Sequence, residues 1–447
     1  MIGIGSTLGM LAATLQGNAI APSGPLTIDQ AVRIAEANAF SVRLQKSVIE
    51  KNRVKVQEAK GNLGPQLSIG ANYTRYDQAL TTSFGAGSPP VIIQPIDSKV
   101  ATATLALPID IAGNRGRLLQ ASSLNRKASE ISLQSTYNDT KLAVRQAYLS
   151  VLRTQAQVHV AELALNDSKE RLDQGQKQFD QAQVAKLDVT RYQAQVAQSQ
   201  SDLIAAKDAL TLAKYSLNLS LARPIESSVE VVDLDQLPSQ DYEEGQLVAA
   251  AQGKRPEVVS ATTSLKALKL ITRATEAGLN PSLNLQVQYQ TTIDPQGFSS
   301  RSQSTVGNLI LSIPIFDSGV TRSKVKEARQ DEVQASISLD QTKLSISQEV
   351  RNAIANLTSA KARIQNANEQ VKLAEEVYRL AKVKQDAGAG TYYEVIDAET
   401  QLTQARNGQI GARYDYLISY SQLQRAVGQD DLAAAVSNLN SAQQGKK

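Results

Sequence analysis

The sequence predicts a mainly α-helical chain made of two copies of one unit, a β-hairpin joined to a long helix, and three observations carry that reading. Val350, Leu357, Ile364, Val371 and Tyr378 recur every seventh residue, each followed three positions on by Ala353, Ala360, Ala367, Ala374 and Ala381. A strict seven-residue seam of this kind belongs to helices wound left-handedly about a neighbour, and alanine along one edge lets that neighbour come close. The pattern also stands 206 positions earlier. There Val144, Val151, Val158, Leu165, Leu172 and Phe179 are followed three residues on by Ala147, Thr154, Ala161, Ser168 and Gly175. Finally, each seam is preceded by two stretches in which apolar and polar residues alternate, the period of a strand with unlike faces.

Composition bounds the function classes. Of 447 residues 42% are hydrophobic, yet only 4% are aromatic and none is Trp, which suits thin helix interfaces better than one deep core. The formal charge of +4 is spread out, with no basic patch interleaved with aromatics, so nucleic acid is not an expected partner. No cysteine is present, which excludes disulfides, thiolate metal sites, a Cys nucleophile and a lipidated N-terminal Cys. Residues 1–21 carry no charged side chain, run apolar from Ile2 to Leu15 and end in Ala19-Ile20-Ala21. They read as a signal peptide without the usual positive start. No later window reaches the roughly 18 apolar residues of a spanning helix, so a membrane role would fall to strands.

The elements follow in order. Thr27 or Asp29 caps a helix expected over 28–61, which Gly61-Asn62-Leu63-Gly64-Pro65 ends. Leu67, Ile69, Ala71 and Tyr73 then alternate with Ser68, Gly70, Asn72 and Thr74, and a Gly/Ser/Pro-rich loop is expected over 77–98. A second strand sets Ala101, Ala103, Leu105 and Leu107 on one face. The long seam helix is expected over 118–182 and a shorter helix over 187–222, completing a first repeat at 22–222. A linker at 223–240 holds a strand-like run at 229–232. In the second repeat, 241–428, a helix over 241–277 copies the opening one. Leu283, Leu285, Val287 and Tyr289 alternate with Asn284, Gln286, Gln288 and Gln290, and Leu309 and Leu311 continue the apolar face. A long helix and a shorter one over 393–427 close it, and a weakly patterned tail, 429–447, is expected to be flexible.

The duplication holds on both sides of the loops. Leu105-Ala106-Leu107-Pro108-Ile109 stands against Leu311-Ser312-Ile313-Pro314-Ile315 at the displacement of the seams, while Pro65-Gln66-Leu67 stands against Pro281-Ser282-Leu283 at a displacement ten positions greater. The second hairpin loop is therefore shorter by that difference, with both flanks in register. A helix of about 65 residues spans nearly 100 Å at 1.5 Å per residue, a length that two helices of about 35 laid end to end would match. The strand pattern alone leaves two readings open: a soluble sheet with its polar face in water, or a membrane barrel with its apolar face in lipid.

Residues able to do chemistry are sparse. His159, the only histidine, sits on a helix without evident partners. Asp188, Glu394 and Asp397 lie near the two helix turns, where acids favour a helix N-terminus, and no nucleophile, metal cluster or phosphate loop accompanies them. The expectation is a protein that is not an enzyme and carries no cofactor or metal.

The run Ala387-Gly388-Ala389-Gly390-Thr391-Tyr392-Tyr393-Glu394-Val395-Ile396-Asp397-Ala398 adds a signature. With Leu26-Thr27-Ile28-Asp29-Gln30-Ala31-Val32, Gly64-Pro65-Gln66-Leu67 and Leu311-Ser312-Ile313-Pro314-Ile315-Phe316-Asp317-Ser318-Gly319, it makes the chain from Leu26 to Gly428 resemble the TolC-like outer-membrane efflux proteins. The resemblance implies a homotrimer whose four strands per protomer close a 12-stranded β-barrel in the outer membrane of a Gram-negative-type bacterium. An α-helical barrel continues it across the periplasm towards a periplasmic adaptor and an inner-membrane pump. It implies a passive exit duct for efflux or type I secretion, with Ala103, Leu105, Leu107, Leu283, Leu285, Val287, Tyr289, Leu309 and Leu311 facing lipid. Val350, Ala353, Leu357, Ala360, Ile364, Ala367, Val371 and Ala374 become the packing seam of one helical stave. Asp188, Glu394 and Asp397, with Tyr392 and Tyr393, become a candidate gate at the periplasmic tip. Ala182 departs from the family, which often has Gly there, and puts the tight turn in question. The competing function is a soluble coiled-coil scaffold whose hairpins dock on partners.

Overall fold

A capping box opens the first helix, in which Thr27 Oγ1 accepts the Gln30 N–H while Gln30 Oε1 accepts the Thr27 N–H. The computed structural model describes residues 24–83, 85, 89–233, 243–293, 295 and 302–429. The expected signal peptide and all but the first residue of the expected tail lie outside the described residues.

Among those residues the helices are α1 (Ile28–Asn38), α2 (Phe40–Gly61), α3 (Asn114–Asp180), α4 (Lys186–Ser220), α5 (Glu244–Lys254), α6 (Pro256–Glu276), α7 (Val320–Asp386) and α8 (Tyr392–Val427). The strands are β1 (Gln66–Arg75), β2 (Leu80–Thr82), β3 (Val91–Gln94), β4 (Asp97–Ile109), β5 (Ser282–Ile293) and β6 (Gln303–Ser312). α3 and α7 have 67 residues each, and both ends of α7 lie 206 positions beyond those of α3. No described helix is long and apolar enough to cross a membrane.

Three expectations are corrected. The opening helix is interrupted: Ala39 leaves the helical region at φ −53°, ψ 139° between α1 and α2. Arg255, its counterpart in the second repeat, does the same at φ −60°, ψ 133° between α5 and α6. There Pro256 supplies the reason, since the residue before a proline is driven out of the α region. The 77–98 loop is not featureless, because β2 and β3 pair within it as a small antiparallel sheet. The run at 229–232 makes only an isolated parallel bridge between Leu26 and Val231.

The chain forms two compact units that cut across the repeats, one from residues up to 46, 132–258 and 341 onward, the other from 47–131 and 259–340. In the first unit a core gathers Leu26, Ala31, Ala35, Val42, Val144, Tyr148, Val151, Leu217 and Leu221. The buried Tyr148 hydroxyl donates to the Val232 carbonyl at 2.6 Å and accepts the Val232 N–H at 3.0 Å, so it ties the linker to α3. Val158 and Leu165 of the first seam pack with Leu203 of α4. Of the second seam Val350, Ala353, Leu357, Ala360, Ala367 and Val371 are buried, while Ile364 and Ala374 are half-buried. Hydrogen bonds from Gln409 to Asn368 (2.9 Å) and from Arg406 to Glu375 (3.2 Å) join α8 to α7.

The break at Arg255 feeds a charged knot. Arg255 is buried and donates to Glu349 at 2.5 Å, to Glu257 at 2.7 Å and to the Ala426 carbonyl at 3.2 Å. Arg425 adds Glu349 and Asp139. Burial alone would raise the Glu257 carboxyl, but the Arg255 guanidinium overrides it and holds the group down to about 2.

In the second unit Asp110 starts α3 by accepting the Arg115 and Gly116 N–H groups at 3.1 and 2.7 Å, and Asp317 starts α7 by accepting that of Thr321 at 2.8 Å. This unit also holds a four-stranded antiparallel sheet in the order β1-β4-β5-β6.

Candidate functional site

Two sites answer to the sequence reading, each within one unit. The first is the sheet. Directly opposed residues share a face, so its register decides which side chains stand together. Leu67, Leu105, Val287 and Gly307 form one row; Ile69, Ala103, Tyr289 and Thr305 form the next. Leu107, Leu285 and Leu309 form a third row, and Ile109, Leu283 and Leu311 a fourth. All nine of the strand residues singled out by the sequence therefore lie on one continuous apolar face. The opposite face is mainly polar, with Ser68, Thr104 and Gln288 beside Val306 in one row, Gln286 and Asn308 beside Ala106 in the next, and Asn284 beside Ile310 beyond it. β1 and β6 are open edges of the sheet.

The second site comprises the turns between α3 and α4 and between α7 and α8, both in the first unit. Thr391 caps α8 in a box with Glu394. Lys384 donates to both Glu394 oxygens at 2.9 Å, and this partner holds the carboxyl below the usual carboxylate range. Asp397, exposed, accepts from Gln401 at 2.8 Å. Asp188, half-buried, lies 3.9 Å from Arg191 on its own helix. Each of the three acids thus has its partner within its own hairpin. The tyrosines diverge. Tyr393 is exposed, whereas Tyr392 sets its ring edge-on to Tyr192 of α4 with centroids 4.3 Å apart. Burial there pushes the Tyr392 phenol up to about 12.

Besides Tyr392, the two hairpins are joined by residues to which sequence reasoning gave no such role. Arg171 of α3 donates to Glu399 of α8 at 2.5 Å and to the Tyr378 hydroxyl of α7 at 2.5 Å. Glu399 is buried, its Oε1 is without a hydrogen-bond partner, and burial raises its carboxyl against the pull of Arg171. Tyr192 accepts from Gln385 of α7 at 3.2 Å and lies over Gly175 of α3, where an added Cβ would come within 2.5 Å of its ring. A signal existed: Arg171 precedes seam residue Leu172, and Glu399 follows Ala398, which begins a stripe of small residues at seven-residue spacing (Ala398, Ala405, Ala412, Ser419, Ala426), so each charge borders a packing stripe.

A duplicated chain of long helices carrying an antiparallel sheet with one apolar and one polar face defines a class in which strands, not helices, are suited to a bilayer. The family model described as "Outer membrane efflux protein" matches residues 31–223 and 247–429, and the chain belongs to that family of outer-membrane transport proteins. It is similar to the outer membrane protein TolC of Salmonella enteritidis, 25% identical with 93% of this chain and 87% of that one covered. It is also similar to the cobalt-zinc-cadmium resistance protein CzcC of Cupriavidus metallidurans, 21% identical with 87% of each covered. Among solved structures it shares its fold with the Campylobacter jejuni CmeC outer membrane channel, at a TM-score of 0.77 and 17% identity, covering 93% of this chain and 88% of that one.

Proposed function

We propose that the chain is one protomer of a homotrimeric exit duct, which passes substrates from a periplasmic pump assembly to the exterior without performing a reaction. The observation that carries this reading is the four-stranded sheet with one apolar face and two open edges, in a chain of an outer-membrane efflux family. Unpaired strand edges cannot be left in hydrocarbon, and three copies of four strands would close a 12-stranded barrel without any. Ala103, Leu105, Leu107, Leu283, Leu285, Val287, Tyr289, Leu309 and Leu311 then face lipid, and the Gln/Asn face lines a wet lumen. The two repeats supply paired helical staves of a tube that extends into the periplasm, reached by an adaptor and an inner-membrane pump.

At the tip each acid becomes a ring of three. Glu394 and Asp397 lie three residues apart on α8, and rings of carboxylates at a constriction hold cations. Asp188, Tyr392 and Tyr393 complete the entrance. Purified protein in a planar bilayer should show discrete single-channel conductance blocked by multivalent cations from the tip side, and Glu394→Gln with Asp397→Asn should weaken that block. Absence of conductance would sink the duct, and an unchanged block would remove the two acids from the gate.

A further inference from the structure

Where the sheet gives way to the helices, the second unit holds a cleft of about 370 Å³. β4 ends and β5 begins there, with Ile109 paired to Leu283 in the last row of the apolar face. Ile109, Ile111 and Leu283 supply its apolar lining, and Asn114, Arg115 and Asn280 supply polar groups. The cleft lies mainly against the interior strands β4 and β5, off the edges through which copies would join.

The acid in its lining, Asp110, is occupied: both carboxylate oxygens accept N–H groups at the start of α3. The cations are not. Arg115 donates through Nη1 to the Asn62 carbonyl at 2.5 Å, and Arg117, beside the cleft, donates to the carbonyl of the lining residue Ala112 at 2.9 Å. Neither guanidinium has a carboxylate partner among the described residues. Each carries five N–H donors, so most of that capacity is unspent. α7, the copy of α3, begins without them, because Arg115 and Arg117 correspond to Thr321 and Ser323 at the displacement of the repeats. Starting the long helix therefore does not need the pair. What sets the two arginines apart is their place at the end of an apolar face.

Resting on the duct reading, which puts that face in a bilayer, we infer that the cleft binds the phosphodiester head group of an anionic glycerophospholipid, in the leaflet at the helical end of the barrel. Arg115 and Arg117 take the phosphate through charge-assisted hydrogen bonds, for which the guanidinium fork is suited. Asn114 and Asn280 offer further amide donors. The acyl chains lie along Ile109, Ile111 and Leu283 and continue up the apolar rows. A soluble phosphate would meet the same arginines and leave the apolar lining unused.

The chain has no tryptophan, so a placed one reports alone. Leu279→Trp sets a reporter at an exposed position between the lining residues Gly278 and Asn280, and Tyr289→Trp sets one further along β5. Full-length protein is reconstituted in vesicles of phosphatidylcholine and phosphatidylglycerol, with bromine on the chains of one lipid at a time to quench nearby indole. At Leu279→Trp phosphatidylglycerol should be preferred by about tenfold, the scale of one hydrogen bond to a charged group. At Tyr289→Trp the two lipids should quench alike. Arg115→Gln with Arg117→Gln should abolish the preference, whereas Arg115→Lys with Arg117→Lys, which keeps both charges, should retain most of it. No preference at Leu279→Trp, or one that survives the glutamine pair, would overturn the site. A preference erased by excess glycerol phosphate would also overturn it, by assigning the cleft to a soluble anion. So would loss with the lysine pair, which would trace the effect to the fold and not to charge. In each of these cases quenching at Tyr289→Trp still reports a sheet in the bilayer and leaves the duct standing. No quenching at Tyr289→Trp by either lipid would sink the duct and the site together.

Discussion

At the turn between α3 and α4 the Ala182 N–H bonds to the Phe179 carbonyl and the Gln183 N–H to that of Gln178. At the turn between α7 and α8, Gly388 bonds to Gln385 and Ala389 to Lys384, the same pair of bonds in the second copy. The chemistry beneath this shared backbone differs. Gly388 takes a φ of +73° at no steric cost, and Thr391 with Glu394 caps the helix that follows. Ala182 holds a φ of +57°, which costs an L-residue roughly 1–2 kcal/mol, and Ala185 offers α4 no side-chain cap. What steadies the first hairpin lies about two to three turns away, in Tyr192 over Gly175 and in Arg171 reaching α7 and α8. The corresponding positions of the second hairpin are Ala398, Ala381 and Val377, all without such chemistry. One geometry is therefore specified locally in one copy and by long-range contacts in the other.

The largest test of that contrast is Arg171→Met. It strands a buried carboxylate, and breaking a buried pair in this way costs about 3–5 kcal/mol; a lower thermal midpoint of the helical circular dichroism signal would register it. The deficit should shrink on acidification. A carboxyl raised on folding contributes stability that is full below its unfolded value and is lost as pH rises through its folded value. Without Arg171, Glu399 is raised further, so the variant gains more than the parent as pH falls from neutrality towards the ordinary carboxylate range. A constant deficit would place the loss elsewhere. Next comes Gly175→Ala, which must displace the Tyr192 ring and should cost about 1–3 kcal/mol by overpacking. Tyr192→Leu in the same chain should recover most of it, whereas additive losses would mean that the two do not touch. Thr391→Ala removes a cap and should cost about 1 kcal/mol, seen as faster amide exchange in the first turn of α8. Ala182→Gly is the smallest, a gain of under about 1 kcal/mol, because relieved strain is offset by the flexibility glycine adds to the unfolded chain. If it destabilises, the first turn is not strained.

The sequence made the sheet legible because period two and the duplicated offset act together: each strand displays its face, and each strand of one repeat has its copy in the other, while the residues that stand opposite one another came from the structure. The seams were legible for a similar reason, with Val350 to Val371 at strict heptad spacing and mostly buried. The break at Ala39 was not, since nothing local forbids a helix there. It becomes visible only by carrying Pro256 back to its counterpart in the first repeat, Phe40. Lost too were β2 and β3, two short strands within a loop rich in Gly, Ser and Pro. The link between Arg171 and Glu399 spans 228 residues between helices whose polar residues mostly face outward, and no periodicity marks a single buried pair.

Arg255 bears on the order in which the first unit is completed during synthesis. Glu257 is at hand as soon as the residue is made, but Glu349 follows 94 positions later and the Ala426 carbonyl 171 positions later. A guanidinium deprived of acceptors resists leaving water. Until α8 has emerged, therefore, the crossing of α5 and α6 has reason to remain hydrated and unsealed. The last described helix closes the knot begun near the middle of the chain, and a chain halted before Ala426 would leave the Arg255 guanidinium with Glu257 and Glu349 but without its carbonyl acceptor.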